Sequence, residues 1–172
     1  MPVRRRKDRS GLKASIRFYV ENVGDVRRSG RHYFDVFLWR SRKAMAGGIP
    51  PDDYDDGAKA YVCHEDWRLN FSDGRDGEYV DRPRVCEVHF YAGGWDHEVV
   101  AHELSHVMFG VLRKSDYGAS LGPKTKAVIG QDDDAEEVIC YRFGRWYREV
   151  YEWLWTVDPS SRWKRVKAGR RG

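Results

Sequence analysis

Residues 102–106 read His-Glu-Leu-Ser-His, two imidazoles four positions apart with a carboxylate directly after the first. On a helix, positions i and i+4 stack on one face, so His102 and His106 can aim ring nitrogens at one point and grip a single metal ion. Glu103 is turned further round the helix, out of the ligand plane but within reach of a water held by that ion, the place of a general base. Zinc (Zn2+) suits such a set. Imidazole and carboxylate are its ordinary ligands, it is redox-inert, and it brings the pKa of coordinated water towards ~7. The chemistry expected of these groups is hydrolysis. The competing reading is an amphipathic helix with two solvated histidines, which leaves both rings beside the apolar positions Val99, Leu104 and Val107 without obvious neutral partners.

Two imidazoles are an incomplete site, because a catalytic zinc normally takes a third protein ligand. After His106 the chain holds no histidine and one cysteine, Cys140, whereas Asp132, Asp133, Asp134, Glu136 and Glu137 cluster about thirty residues on. A carboxylate is therefore the expected third ligand. Glu137 is followed at i+3, i+4 and i+7 by Cys140, Tyr141 and Gly144, a face small enough to approach the metal helix closely, while Glu136 heads a stripe of Cys140, Phe143 and Tyr147. Helical geometry favours Glu137 and leaves Glu136 open. Asp133 and Asp134 could orient the histidine N–H groups.

The elements that must hold these residues can be read from periodicity. Residues 15–23, 31–39, 59–67 and 84–92 are rich in β-branched and aromatic side chains and read as strands, the last two as a small antiparallel sheet; residues 46–57 read as a loop dense in Gly, Pro and Asp. From Gly93-Gly94 the period changes. Asp96 can cap a helix carrying Val99, Val100, Leu104, Val107, Met108, Val111 and Leu112 at helical spacing. A second helix is expected from the acidic residues near 132, with Cys140, Phe143, Tyr147, Val150 and Leu154 on one face. The order predicts an α+β fold: a small antiparallel or mixed sheet, then the metal helix, then a second long helix.

Chain length predicts one domain, residues 14–158, between a basic arm at 1–13 and a basic tail at 159–172. Residues 1–13 carry six basic and one acidic side chain and residues 162–172 six basic and none acidic, so the middle of a chain of net charge +4 has an acidic excess. Such ends can contact nucleic acid or an acidic partner by releasing counterions, and are more often solvated termini. No run of apolar residues is long enough for a membrane span and no secretion signal is readable. Three widely spaced cysteines, Cys63, Cys86 and Cys140, make a poor disulfide framework and point to a cytoplasmic location.

The segment Ala-His-Glu-Leu-Ser-His (101–106), preceded by VCEVHFYAGG and followed by DDDAEEVICYRFG, resembles the small phage-encoded metallopeptidases related to the ImmA/IrrE group. The resemblance covers roughly residues 80–147. It implies a minimal zincin fold with zinc held by His102, His106 and Glu137, Glu103 as catalytic base, a peptide or protein substrate, and a host-cytoplasm location. It also implies an edge strand just before the metal helix, Val85 to Tyr91, along which a substrate pairs. The main alternative is a catalytically silent zincin-like binding protein that works through its basic ends.

Other residues are weighed against these. Cys86 and His89, with Cys63 and His64 nearby in sequence, could form a second metal site, but on a strand Cys86 and His89 point to opposite faces. His89 could instead line the cleft. Tyr91, His97, Tyr117 and Tyr141 are candidates to stabilise an oxyanion. Trp146, Tyr147, Tyr151, Trp153 and Trp155 occupy more than one helix face, mostly as core and in part as surface for a partner.

Overall fold

The structure is a computed structural model that describes residues 9–20, 32–49, 58–64, 83–116 and 133–159; the side chains of 112–116 and 133–139 lie outside the description. The outer parts of both basic ends, the extensions of the predicted strands over 21–23 and 65–67, and Tyr117 fall outside it as well.

Four strands form one mixed sheet in the order β1-β2-β4-β3: β1 (Leu12–Tyr19), β2 (Tyr33–Trp39), β3 (Ala60–His64) and β4 (Arg84–Tyr91). β1 runs antiparallel to β2 and β3 antiparallel to β4, while β2 and β4 are parallel. A parallel pair needs a crossover, and here the chain leaves β2, forms a short helix and β3, and returns to place β4 between them. With α1 (Arg42–Gly48), α2 (His97–Asp116) and α3 (Asp133–Val157), the described residues form an α+β fold with three helices. None of these helices is long and apolar enough to cross a membrane.

Alternation along the strands divides the core in two. Phe18, Phe34, Val36, Leu38, Val88 and Phe90 point to one face, where Val100, Leu104, Val107 and Val111 of α2 and Trp146, Val150 and Leu154 of α3 bury them. Phe37 and Trp39 point to the other, under Met45 and Ile49 at α1. Fully burying each such side chain stabilises by roughly 1.5–3 kcal/mol, so the two helices that carry the candidate site are also the main cover of the sheet.

The short helix α1 corrects the loop expected from residue 46, since its last turn reaches Gly48. Seven residues are too few to display a helical period, but Ser41 is a legible start signal: its hydroxyl accepts from Ala44 N–H at 3.2 Å. The buried stripe of α3 also differs from expectation. Trp146, Val150 and Leu154 are fully buried, whereas Cys140 is exposed and Phe143 and Tyr147 are half-buried at the margin.

One buried carboxylate locks the frame. Asp158, just past α3, is fully buried; Oδ1 accepts from Lys13 Nζ of β1 at 2.9 Å, and Oδ2 accepts from Gly93 N–H and Trp95 Nε1–H at 3.1 Å each. Lys13 and Leu12, at the end of the predicted arm, thus belong to the sheet. Gly93 has a φ of 78°, which suits a residue without Cβ, and a Cβ on Gly94 would lie 2.2 Å from the Tyr91 ring. The turn between β4 and α2 is therefore held tightly, and it aims α2.

Candidate metal centre

α2 begins as its sequence predicts, with Asp96 Oδ1 accepting from Val99 N–H at 2.9 Å. Its apolar residues face the sheet, and this turns His102 and His106 outward, where both are exposed. The two rings converge. His102 Nε2 and His106 Nε2 stand 3.2 Å apart, with ring centroids at 4.9 Å and planes at 78°. The pair is hydrogen-bonded here, and its spacing is close to the roughly 3.3 Å expected of two nitrogens each 2.0–2.1 Å from one zinc at a tetrahedral angle.

Glu103 lies further round the helix and is buried, 7% exposed. Burial pushes its carboxyl up from 4.5 to about 7. A carboxylate in that range can take and return a proton at neutral pH, which is what a general base and acid must do. Phe109, one stripe with the histidines at i+7 from His102 and i+3 from His106, is 55% exposed. Its place on the open face is visible in the spacing of HELSHVMF, although the sequence reading passes over it.

Both glutamate candidates lie in α3, with side chains outside the described residues, as are those of Asp133 and Asp134; Asp132 is not described at all. Position 137 shares a helix face with Tyr141, Gly144 and Arg148, all exposed; position 136 shares one with exposed Cys140 and with Phe143 and Tyr147, both half-buried against the core. The small face expected to pack closely on α2 is thus an open one. Among the described residues, no group of three or more histidines, cysteines or carboxylates comes together.

The remaining candidates separate cleanly. His97 is engaged at both ring nitrogens, Nε2 with the Tyr151 hydroxyl at 2.8 Å and Nδ1 with that of Tyr147, and it stacks on Tyr151 at 4.1 Å; it clasps α2 to α3. Tyr91 packs in the second core beside α1. Tyr141 is 69% exposed on the open face of α3. His89 is buried on the sheet face away from α2, accepting from Trp39 Nε1–H at 3.0 Å and stacked on Phe37, so it does not line a cleft beside α2. Cys86 points the other way into the main core, where burial raises its thiol well above the ordinary value. Cys86 and His89 therefore share no metal.

β4 is an interior strand, flanked by β2 and β3, which corrects the expectation that Val85 to Tyr91 forms the edge. Among the described residues, the edge on the side of α2 is β3. His64 at its end lies against Gly110, where a Cβ would come within 2.9 Å of the imidazole, one helical turn beyond His106. No protein-family model, curated protein or solved structure matches the chain.

Proposed function

We propose that the protein is a zinc-dependent peptidase whose metal is held by His102, His106 and Glu137. The observation that carries this reading is the convergence of the two histidine Nε2 atoms, 3.2 Å apart on the open face of α2. When bound, zinc would supply a Lewis acid for a peptide carbonyl and a lowered pKa for an attacking water. The work of the chain's own residues follows from their placement. Glu103 takes the proton of that water and returns it to the leaving amine, and its burial keeps it basic enough for the first step and acidic enough for the second.

Glu137 is preferred to Glu136 because a metal that substrate can reach needs its ligands on open helix faces. Position 137 shares its face with exposed Tyr141 and Gly144, and His102, His106 and Phe109 are likewise exposed on α2. Of the named candidates among the described residues, Tyr141 is the one left exposed on α3 and would be the group to steady the carbonyl oxygen. A substrate backbone would add to the edge of β3, by hydrogen bonds from one extended chain to another. The reading follows the resemblance to the ImmA/IrrE-related peptidases except at the edge strand, where β3 stands in place of β4.

The test is metal analysis joined to cleavage. The purified chain should carry one zinc, lost in the His102→Ala, His106→Ala double variant, and Glu103→Gln should keep the metal and lose cleavage of a peptide library. A native protein that binds no zinc would overturn the proposal. Glu137→Gln should release zinc on dilution while Glu136→Gln retains it; the reverse result moves the third ligand back one residue.

A further inference from the structure

The face of the sheet turned away from α2 and α3 has two unlike halves. Under α1 it is apolar, built on Trp39, Met45 and Ile49. Beyond α1 lies an open, shallow depression of about 460 Å³, and its lining includes Arg9, Ser15, Arg17, Asp35, Phe37 and Arg84. That volume falls in the range of small-molecule sites.

The arginines are oriented. Arg17, Asp35 and Glu87 are cross-strand partners on β1, β2 and β4, so the sheet register sets their row. Arg17 donates from Nε and Nη2 to the two oxygens of Asp35, at 2.8 and 3.2 Å, and its guanidinium lies 3.6 Å from the Tyr33 ring centroid. Arg84 donates through Nη1 to Glu87 Oε1, and Glu87 is 3% exposed. Arg9 lies 5.3 Å over the Phe37 ring, and among the described residues no carboxylate pairs with it. Ser15, the partner of Phe37 across the ladder, adds a hydroxyl.

Three guanidinium groups therefore border one depression with one carboxylate in its wall. Two of them are already held by buried acids, Arg17 by Asp35 and Arg84 by Glu87, which fixes their planes. Arg9 adds a positive charge that no acid among the described residues offsets. Such planar, multidentate donors match a tetrahedral oxyanion, which can accept from several directions at once. The aromatic faces of Phe37 and Tyr33 are covered by Arg9 and Arg17, so base stacking is not what this site is built for.

We propose that this depression is a second binding site, separate from the candidate metal centre, for a small phosphate-bearing ligand held by Arg9, Arg17 and Arg84. Calorimetric titration of the full-length protein with inorganic phosphate, adenosine monophosphate and a single-stranded oligonucleotide tests it. Saturable binding of adenosine monophosphate that inorganic phosphate displaces is expected. Arg9→Gln should weaken it at least about tenfold without lowering the melting temperature, because each charge-assisted contact is worth that much. Arg17→Lys, which keeps the charge and loses the fork, should weaken it as well. Oligonucleotide binding with the same sensitivity to both variants would support the site and identify its phosphate as that of a polynucleotide. No saturable binding of any probe overturns the proposal. So does binding that Arg9→Gln and Arg17→Lys leave unchanged while replacement of Arg4, Arg5 and Arg6 by Gln abolishes it, since the anion would then belong to the basic end.

Discussion

Glu103→Gln in the zinc-free protein separates the carboxyl's burial from every other feature of the site. In the folded chain burial raises this group from 4.5 to about 7, whereas the unfolded chain returns it to the ordinary value. Between those limits the folded state holds a proton that the unfolded state has released. Stability from this group is thus fully present below about 4.5, falls as pH rises through about 7, and is level above. A difference of some two and a half units corresponds to about 3 kcal/mol, and a side chain only 7% exposed loses little of it to solvent screening. Glutamine has the shape of the protonated acid and does not titrate.

Urea unfolding of both proteins, with a chelator present and at a series of pH values, reads this out. The variant should match the native chain near pH 4 and exceed it by about 3 kcal/mol near pH 8. Zinc should then flatten the difference, because a dication beside the carboxylate favours its charged form. A gap between the two proteins that stays constant with pH would show that Glu103 is not desolvated in the fold. A slope untouched by zinc would separate the carboxylate from the metal.

Two further substitutions test the frame. Asp158→Ala removes a buried carboxylate that holds Lys13, Gly93 and Trp95, and should cost about 3 kcal/mol or more in urea unfolding; Asp158→Asn, which keeps an acceptor oxygen, should cost less. Gly48→Ala should also destabilise, by about 1–3 kcal/mol in thermal unfolding, although alanine is the better helix former: its Cβ would lie 2.1 Å from the buried Trp39 ring.

What could be read along the chain is what depends on neighbours in sequence. The alternation of β2 and β4 and the 3.6-residue stripe of α2 are local patterns, and so is the convergence of His102 and His106, since one helical turn brings them together whatever surrounds them. The parallel pairing of β2 with β4 is not local. It depends on α1 and β3 taking the chain out to the sheet edge and back, and α1 is too short to announce itself except through Ser41. The row of Arg17, Asp35 and Glu87 is invisible for the same reason: three charged residues in three strands become neighbours only once the register is set. In α3 two stripes compete for the core, and the bulk of Trp146 wins over Cys140, which leaves the Cys140 side open.

The position of the third ligand is then a question of leverage. α3 is tied down near its C-terminal end, by Asp158 and by the contacts of Tyr147 and Tyr151 with His97. At 1.5 Å per residue, position 137 lies about 15 Å along the helix from Tyr147, the nearest of these ties, and about 30 Å from Val157 at the helix end. A metal shared between His102, His106 and Glu137 would tie α2 to α3 a second time, far from the first tie. The two ties should therefore assist each other: loss of the Asp158 clasp lets α3 shift, and a small rotation there becomes a displacement of ångströms at position 137. Asp158→Ala should weaken zinc binding in the native background and have no further effect once Glu137→Gln has removed the distant ligand. Zinc titrations of the four proteins of this cycle measure the coupling. Additive losses would mean that Glu137 does not reach the metal, and that His102 and His106 hold whatever they hold without α3.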